Sequence, residues 1–221
     1  PCYNFQNPVP LPGTLWPCSS NFLYSAISNN GKLLTSTSEE LDHDLSKITL
    51  VKISNMFKEI NMKPQDIDKI IVVNGPGSFT GIRVGITIAK VYAWGLKKDI
   101  CCVSSLEAMA CSTKAKSFKY IVPIIDARRN FVYAAIYDTS YNVVLEPQHI
   151  NLDILKQKMS ELGSCLIITN DDINTDVKTV PYVPNMLKII KKNENNHSIN
   201  PHSVNPNYLK LTEAEEKIAN I

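Results

Sequence analysis

Residues 70–96 read IIVVNGPGSFTGIRVGITIAKVYAWGL, and the rest of the chain is arranged around them. The run from Ile70 to Val73 is short and wholly apolar, the pattern of a buried strand. Gly75, Pro76 and Gly77 suit a tight reversal, and Ser78 or Thr80 is placed to cap the helix that follows. At about 100° per residue the polar side chains of 79–96 make one narrow stripe: Arg83, Thr87 and Lys90. Ile82, Ile86 and Ala93 fall to one side of it, and Val84, Ile88 and Val91 to the other. A helix apolar over most of its girth is covered on more than one side, and a sheet covers only one. Gly81, Gly85 and Ala89 form a ridge of small residues at four-residue spacing, along which a second helix can approach closely. That second helix belongs either to this chain or to a partner protein, and the residues leave both open.

The sequence has 221 residues, 44% of them hydrophobic, enough for one large domain or two small ones. Its formal net charge is only +2, with no long basic run, so composition does not indicate a surface that grips nucleic acid alone, although a local patch is compatible with it. Lysines outnumber arginines 20 to 3, and the three are Arg83, Arg128 and Arg129. Guanidinium makes planar, bidentate contacts that an ammonium does not, so their placement is informative. Six cysteines are scattered without a C-x-x-C pair, which fits reduced thiols in a cytoplasm better than a zinc or disulfide framework. No apolar run approaches the roughly 20 residues of a membrane span, and no signal peptide is evident.

Taken in order, residues 1–14 are rich in proline and asparagine and read as a disordered lead, a processed end or a remnant. Residues 15–112 make the first half. Segments 22–28 and 32–38 flank Asn29, Asn30 and Gly31 as a hairpin. Residues 39–62 follow as a helix with Leu50, Ile53, Phe57 and Ile60 on one face and Ile48 and Val51 on a flank. After the central strand and helix, 100–103 read as a strand and 104–112 as a short helix with a capping box at Ser104 and Glu107. A polar linker, 113–119, separates this half from 120–221. There, strands are expected at 120–126, 131–137, 143–146 and 165–169, with helices at 152–162 and 185–192. Two βββαβα halves result, an α/β architecture in which helices cover sheets. Residues 192–205 are polar and expected to be mobile.

The run 74–85, then Ala89 and Lys90, then 103–109 (VSSLEAM), resembles the signature of the bacterial TsaB (YeaZ) family, the short branch of the glycoprotease-like proteins. The likeness extends over about residues 22–215. It implies a duplicated actin-like (ASKHA, ribonuclease H-like) fold and a non-catalytic role. Such proteins bind and activate a TsaD-like threonylcarbamoyltransferase that forms N6-threonylcarbamoyladenosine (t6A37) in tRNA. A TsaE-like ATPase joins the assembly, which uses ATP and Mg. The subunit has no cofactor of its own, touches tRNA indirectly, and pairs with itself when alone. By resemblance the partner surface uses both early helices, with Ile48, Val51, Gly81, Arg83, Val84, Gly85, Ile88, Ala89 and Tyr92 as its residues.

Gly75, Gly77, Ser78, Thr80 and Arg128 are the candidates for a nucleotide or phosphate contact, because glycine amides ahead of a helix attract anions. The loop lacks the Lys-Ser or Lys-Thr of a Walker sequence, and a tightly packed turn is the favoured reading. Asp126-Ala-Arg128-Arg129 resembles the family's Asp-Ala-Arg segment. Arg128 there either reaches a partner, nucleotide or RNA phosphate, or belongs to a hairpin turn in which Asp126 pairs with an arginine. Residues 15–20 stand where the family has its first strand, but Pro17 and Cys18 interrupt it and the family's aspartate is missing. That argues against the alternative of a small actin-like ATPase or kinase. No histidine pair has metal-ligand spacing; His43 reads as a capping or surface residue, and the cysteines as buried structural thiols.

Overall fold

The computed structural model describes residues 8–10, 22–40, 45–115 and 117–210. Strand β1 is Pro8–Pro10, followed by the hairpin β2 (Phe22–Asn29) and β3 (Lys32–Glu40). Helix α1 (Leu45–Glu59), β4 (Lys69–Val73), α2 (Phe79–Leu96), β5 (Asp99–Val103) and α3 (Ser105–Ser112) complete the first half. The second half runs β6 (Tyr120–Asp126), β7 (Phe131–Asp138), β8 (Val143–Asn151), α4 (Leu152–Leu162), β9 (Cys165–Ile168), β10 (Thr179–Val180) and α5 (Met186–Asn193).

In the first half β1 and β5 flank β4 in parallel, and β1 also lies beside β2 of the antiparallel hairpin. The second sheet has the order β10-β9-β6-β7-β8, with β6, β7 and β8 antiparallel and β9 parallel to β6. Strand alternation separates the cores. Ile71 and Val73 of β4, and Ile121 and Ile125 of β6, point into one shared core with Leu106 and Met109 of α3 and Ile189 and Ile190 of α5. Ile70 and Val72 point the other way, toward Ile53 and Phe57 of α1 and Ile82 and Ile86 of α2. Val122 and Ile124 face Leu155 and Met159 of α4. Residues 113–119 therefore divide the sheets in chain order, while the core runs through both. Lys69 adds a polar link: buried in β4, its Nζ donates to the carbonyls of Glu194, at 2.9 Å, and Asn196, just past the end of α5. A cation at a helix C-terminus meets unpaired carbonyls and the negative end of the dipole.

Several expectations are corrected. The first helix begins at Leu45 rather than 39, because β3 continues through Glu40 opposite Phe22. Strand β8 extends to Asn151, since its pairing with β7 continues to Phe131. Residues 15–20 and His43 lie outside the described residues. A strand does form at Pro8–Pro10, inside the stretch expected to be a disordered lead, paired with Lys69–Ile71. Only Val9 of its three residues has an amide N–H to donate, which suits so short a strand.

The largest correction concerns 192–205. This stretch is tied to the first half as a strap. Ile199 N donates to Ile100 O at 2.9 Å and Asn207 N to Asn74 O at 2.7 Å. Lys90 Nζ donates to the carbonyls of His202 and Val204 at 3.2 and 3.0 Å, and the Val204 side chain is buried with α1 and α2.

Candidate partner surface and the two turns

Helix α2 starts at Ser78, whose Oγ accepts from Gly81 N at 3.4 Å, and ends at Lys97 in a left-handed conformation with its N–H on Ala93 O and Trp94 O. The small-residue ridge is not bare. Gly81, Gly85 and Ala89 are buried, as is Ile88, so a partner does not reach them on the surface as it stands. The physical reason is that α2 packs on β4 and β5, on α1 and under the strap at once. Ile48 and Val84 are half-buried and pack against Leu23. Arg83 is exposed; its Nε donates to Tyr208 Oη at 2.8 Å and its guanidinium lies 3.7 Å from the Phe79 ring centroid. Phe79 and Tyr208 stack at 4.9 Å. Tyr92 is half-buried beside the same core.

Besides Phe79, Arg83 and Gly95, α2 shows to solvent Thr80, Thr87, Val91 and Trp94, and Val84 lies half-covered among these last four. Their spacing of four and three residues is that of a helix-pairing seam. Val91 is 59% exposed and Trp94 65%. On α1 the outward residues Lys47, Val51, Ser54 and Lys58 follow the same spacing, with Leu50 alongside; Val51 is 57% exposed and Leu50 45%. A depression of about 340 Å³ lined by Pro64, Gln65, Val91, Tyr92, Gly95 and Leu96 lies between the 3-10 turn Pro64–Asp66 and the C-terminal end of α2. A second, of about 310 Å³, runs between Thr87, Val91 and Trp94 of α2 and Pro201 and His202 of the strap. Of the expected partner residues, the structure thus leaves Val51 and Arg83 exposed and Ile48, Val84 and Tyr92 half-covered. Leu50, Val91 and Trp94 were missed as surface groups. The four-three spacing through Thr80, Val84 and Thr87 was the available signal, hidden because all apolar residues of α2 look alike to a hydrophobic pattern.

The Gly75–Gly77 turn is walled in. Gly75 has φ +115° and the peptide to Pro76 is cis. Its carbonyl accepts from Ser105 N at 2.8 Å, and Asn74 N donates to Val103 O at 3.0 Å. A Cβ on Gly75 would come within 2.5 Å of Asn207 O. Glycine is needed for the conformation and for the passage of the strap. Thr80 is exposed, whereas Gly77 and Ser78 are partly covered.

The turn after β6 differs. Arg128, Arg129 and Asn130 all have left-handed φ, at +66°, +54° and +62°, and all are exposed. Asp126 accepts from the backbone N–H of Arg128 at 2.9 Å, which closes a local turn. Among the described residues no hydrogen bond or ion pair joins Arg128 to the Gly75 turn. Among the described residues no group of three His, Cys, Asp or Glu side chains is placed to hold a metal. Burial pushes the Cys102 thiol up to about 11 and that of Cys111 to about 12, so both remain protonated and poor nucleophiles near neutrality. No helix of the described residues is long and apolar enough to cross a membrane.

These features define a member of the TsaD-related class of α/β proteins: the family model "TsaD: tRNA N6-adenosine threonylcarbamoyltransferase" matches residues 39–162. The relatives narrow the class. The Bacillus subtilis tRNA threonylcarbamoyladenosine biosynthesis protein TsaB is 32% identical over 185 residues, covering 75% of this chain and 79% of that protein. The Escherichia coli TsaB is 33% identical over 103 residues, 44% of this chain and 45% of its own. The chain belongs to the TsaB family. In solved structures, YeaZ from Pseudomonas aeruginosa shares the fold, with a TM-score of 0.68 at 16% identity over 92% of this chain and 99% of that one.

Proposed function

We propose that this chain is a non-catalytic subunit of the machinery that installs N6-threonylcarbamoyladenosine in tRNA, docking onto and activating a TsaD-like transferase. Membership of the TsaB family supports the pathway. The observation that carries the docking role is the uncovered apolar seam on α1 and α2, Leu50, Val51, Val91 and Trp94, on helices whose inner faces are already satisfied. Such a patch marks a protein interface. The same seam would serve a homodimer when the transferase is absent. The expected residues Gly81, Gly85, Ile88 and Ala89 act in this account by letting α2 sit deep in its own fold, and the outward groups make the contact.

The chain needs no cofactor of its own; ATP and Mg serve the assembled complex, which includes a TsaE-like ATPase, and tRNA is reached chiefly through the transferase. A cytoplasmic location follows from that role. We also infer that the two halves are copies of one actin-like unit. The second sheet's order β10-β9-β6-β7-β8 is matched by β5-β4-β1 continuing beside the β2-β3 hairpin. The reading as a small ATPase or kinase finds no support at the Gly75 turn, whose backbone is engaged by Ser105, Val103 and Asn207. Reconstituted tRNA modification with transferase, ATPase and substrate is the test. Omitting this chain abolishes modification if the reading holds, and undiminished product without it refutes the reading.

A further inference from the structure

The turn after β6 and the start of β7 carry chemistry that a docking subunit does not need. Arg128 and Arg129 stand exposed side by side, and neither guanidinium has a hydrogen-bond or ion-pair partner among the described residues. The neighbouring carboxylates are engaged. Asp126 accepts from Arg128 N at 2.9 Å, Asp171 from Asp126 N at 2.7 Å, and Asp153 from Asn130 Nδ2 at 2.7 Å. Three consecutive non-glycine residues stand in the left-handed region, which asparagine tolerates and which is costly for the two arginines. Directly beyond the turn, Phe131 stacks on His149 of β8 at 4.8 Å with 12° between the rings, and His149 lies 5.4 Å from the Tyr133 ring. Tyr133 is anchored against the shared core, whereas Phe131, the outermost ring, is 38% exposed. The result is a ring ladder rooted in the core and ending at solvent beside two arginines.

We propose that this corner is a contact site for single-stranded RNA, with an unpaired base continuing the ladder on Phe131 and the guanidiniums of Arg128 and Arg129 on the adjoining phosphates. Flat ring faces bind unstacked bases, and paired arginines beside them hold a phosphodiester strand. Duplex bases are stacked and offer no free face. The choice of RNA over DNA rests on the tRNA-modification reading above, and the net charge of +2 makes the site an auxiliary grip on an RNA held elsewhere as well.

The test measures fluorescence anisotropy of the full chain, at low salt, with a labelled RNA hairpin bearing a single-stranded loop, the same stem as a blunt duplex, and a DNA hairpin of the same sequence. The RNA hairpin binds more tightly than the duplex or the DNA hairpin. The double variant Arg128→Asn and Arg129→Asn keeps the left-handed turn, since asparagine tolerates it. It binds the hairpin about tenfold more weakly, and the slope of log affinity against log salt falls by about 1.4, two single-strand phosphate contacts. Phe131→Leu, which keeps an apolar residue at the turn, weakens hairpin binding about tenfold and leaves duplex binding unchanged. Absent hairpin binding, equal binding of hairpin and duplex, equal binding of RNA and DNA, or unaltered binding by the double variant overturns the site. The double variant must still co-elute with the transferase. If it does and the RNA contact fails, only this inference falls and the subunit role stands.

Discussion

The turn after β4 carries two glycines and is walled in by the chain's own strap, whereas the turn after β6 carries two arginines and faces solvent. Both end a central strand and both depart from ordinary backbone angles. The glycine turn has the composition associated with phosphate loops, yet its conformation serves packing: Gly75 O and Asn74 O take hydrogen bonds from Ser105 and Asn207. At the arginine turn Asn130 ties its side chain to Asp153, but the guanidiniums of Arg128 and Arg129 make no hydrogen bond or ion pair among the described residues. Glycine at an unusual φ is cheap and says little about function. Arginine at an unusual φ costs more and calls for a reason.

Substitutions sharpen that contrast. Gly75→Ala places a methyl 2.5 Å from Asn207 O at φ +115°, and should cost about 3 kcal/mol or more in urea unfolding. Gly163→Ala has open space around it and is strained only by its backbone, at φ +65° and ψ −178°, so it should cost about 2 kcal/mol in the same assay. An equal loss at the two sites would mean that the strap does not confine Gly75. Tyr208→Phe removes the acceptor of Arg83 Nε at the strap's end, an exposed contact, and should lower stability by about 0.5 kcal/mol. Arg128→Asn with Arg129→Asn should cost no more than about 0.5 kcal/mol and should tend toward a gain, since neither guanidinium has a partner among the described residues to lose and asparagine tolerates the left-handed φ better than arginine. A larger loss would make the arginine turn a structural device like its counterpart.

Much of the fold could be read beforehand where pattern and local chemistry agree. Helix Phe79–Leu96 has the expected bounds because Ser78 caps one end and Lys97, in a left-handed conformation, closes the other. The β2-β3 hairpin followed from Asn30 and Gly31, which take positive φ at its turn. The strap was illegible because its attachment is made of backbone carbonyls meeting Lys90 and of one buried valine, Val204, in an otherwise polar stretch. Strand β10 was missed because two residues carry no period. The site was legible only in part. Hydrophobic periodicity identified α2 as covered on several sides, but could not tell which apolar residues the chain itself covers. Ile88 and Val91 are equivalent on a helical wheel; the first is buried and the second is 59% exposed.

The most direct measurement is co-elution of a TsaD-like transferase with Val91→Glu and Trp94→Glu variants, each first shown by circular dichroism to melt like the parent chain. Both side chains are exposed, so the fold should survive the added charge. The account predicts folded variants that no longer co-elute with the transferase. Folded variants that co-elute as fully as the parent would contradict it.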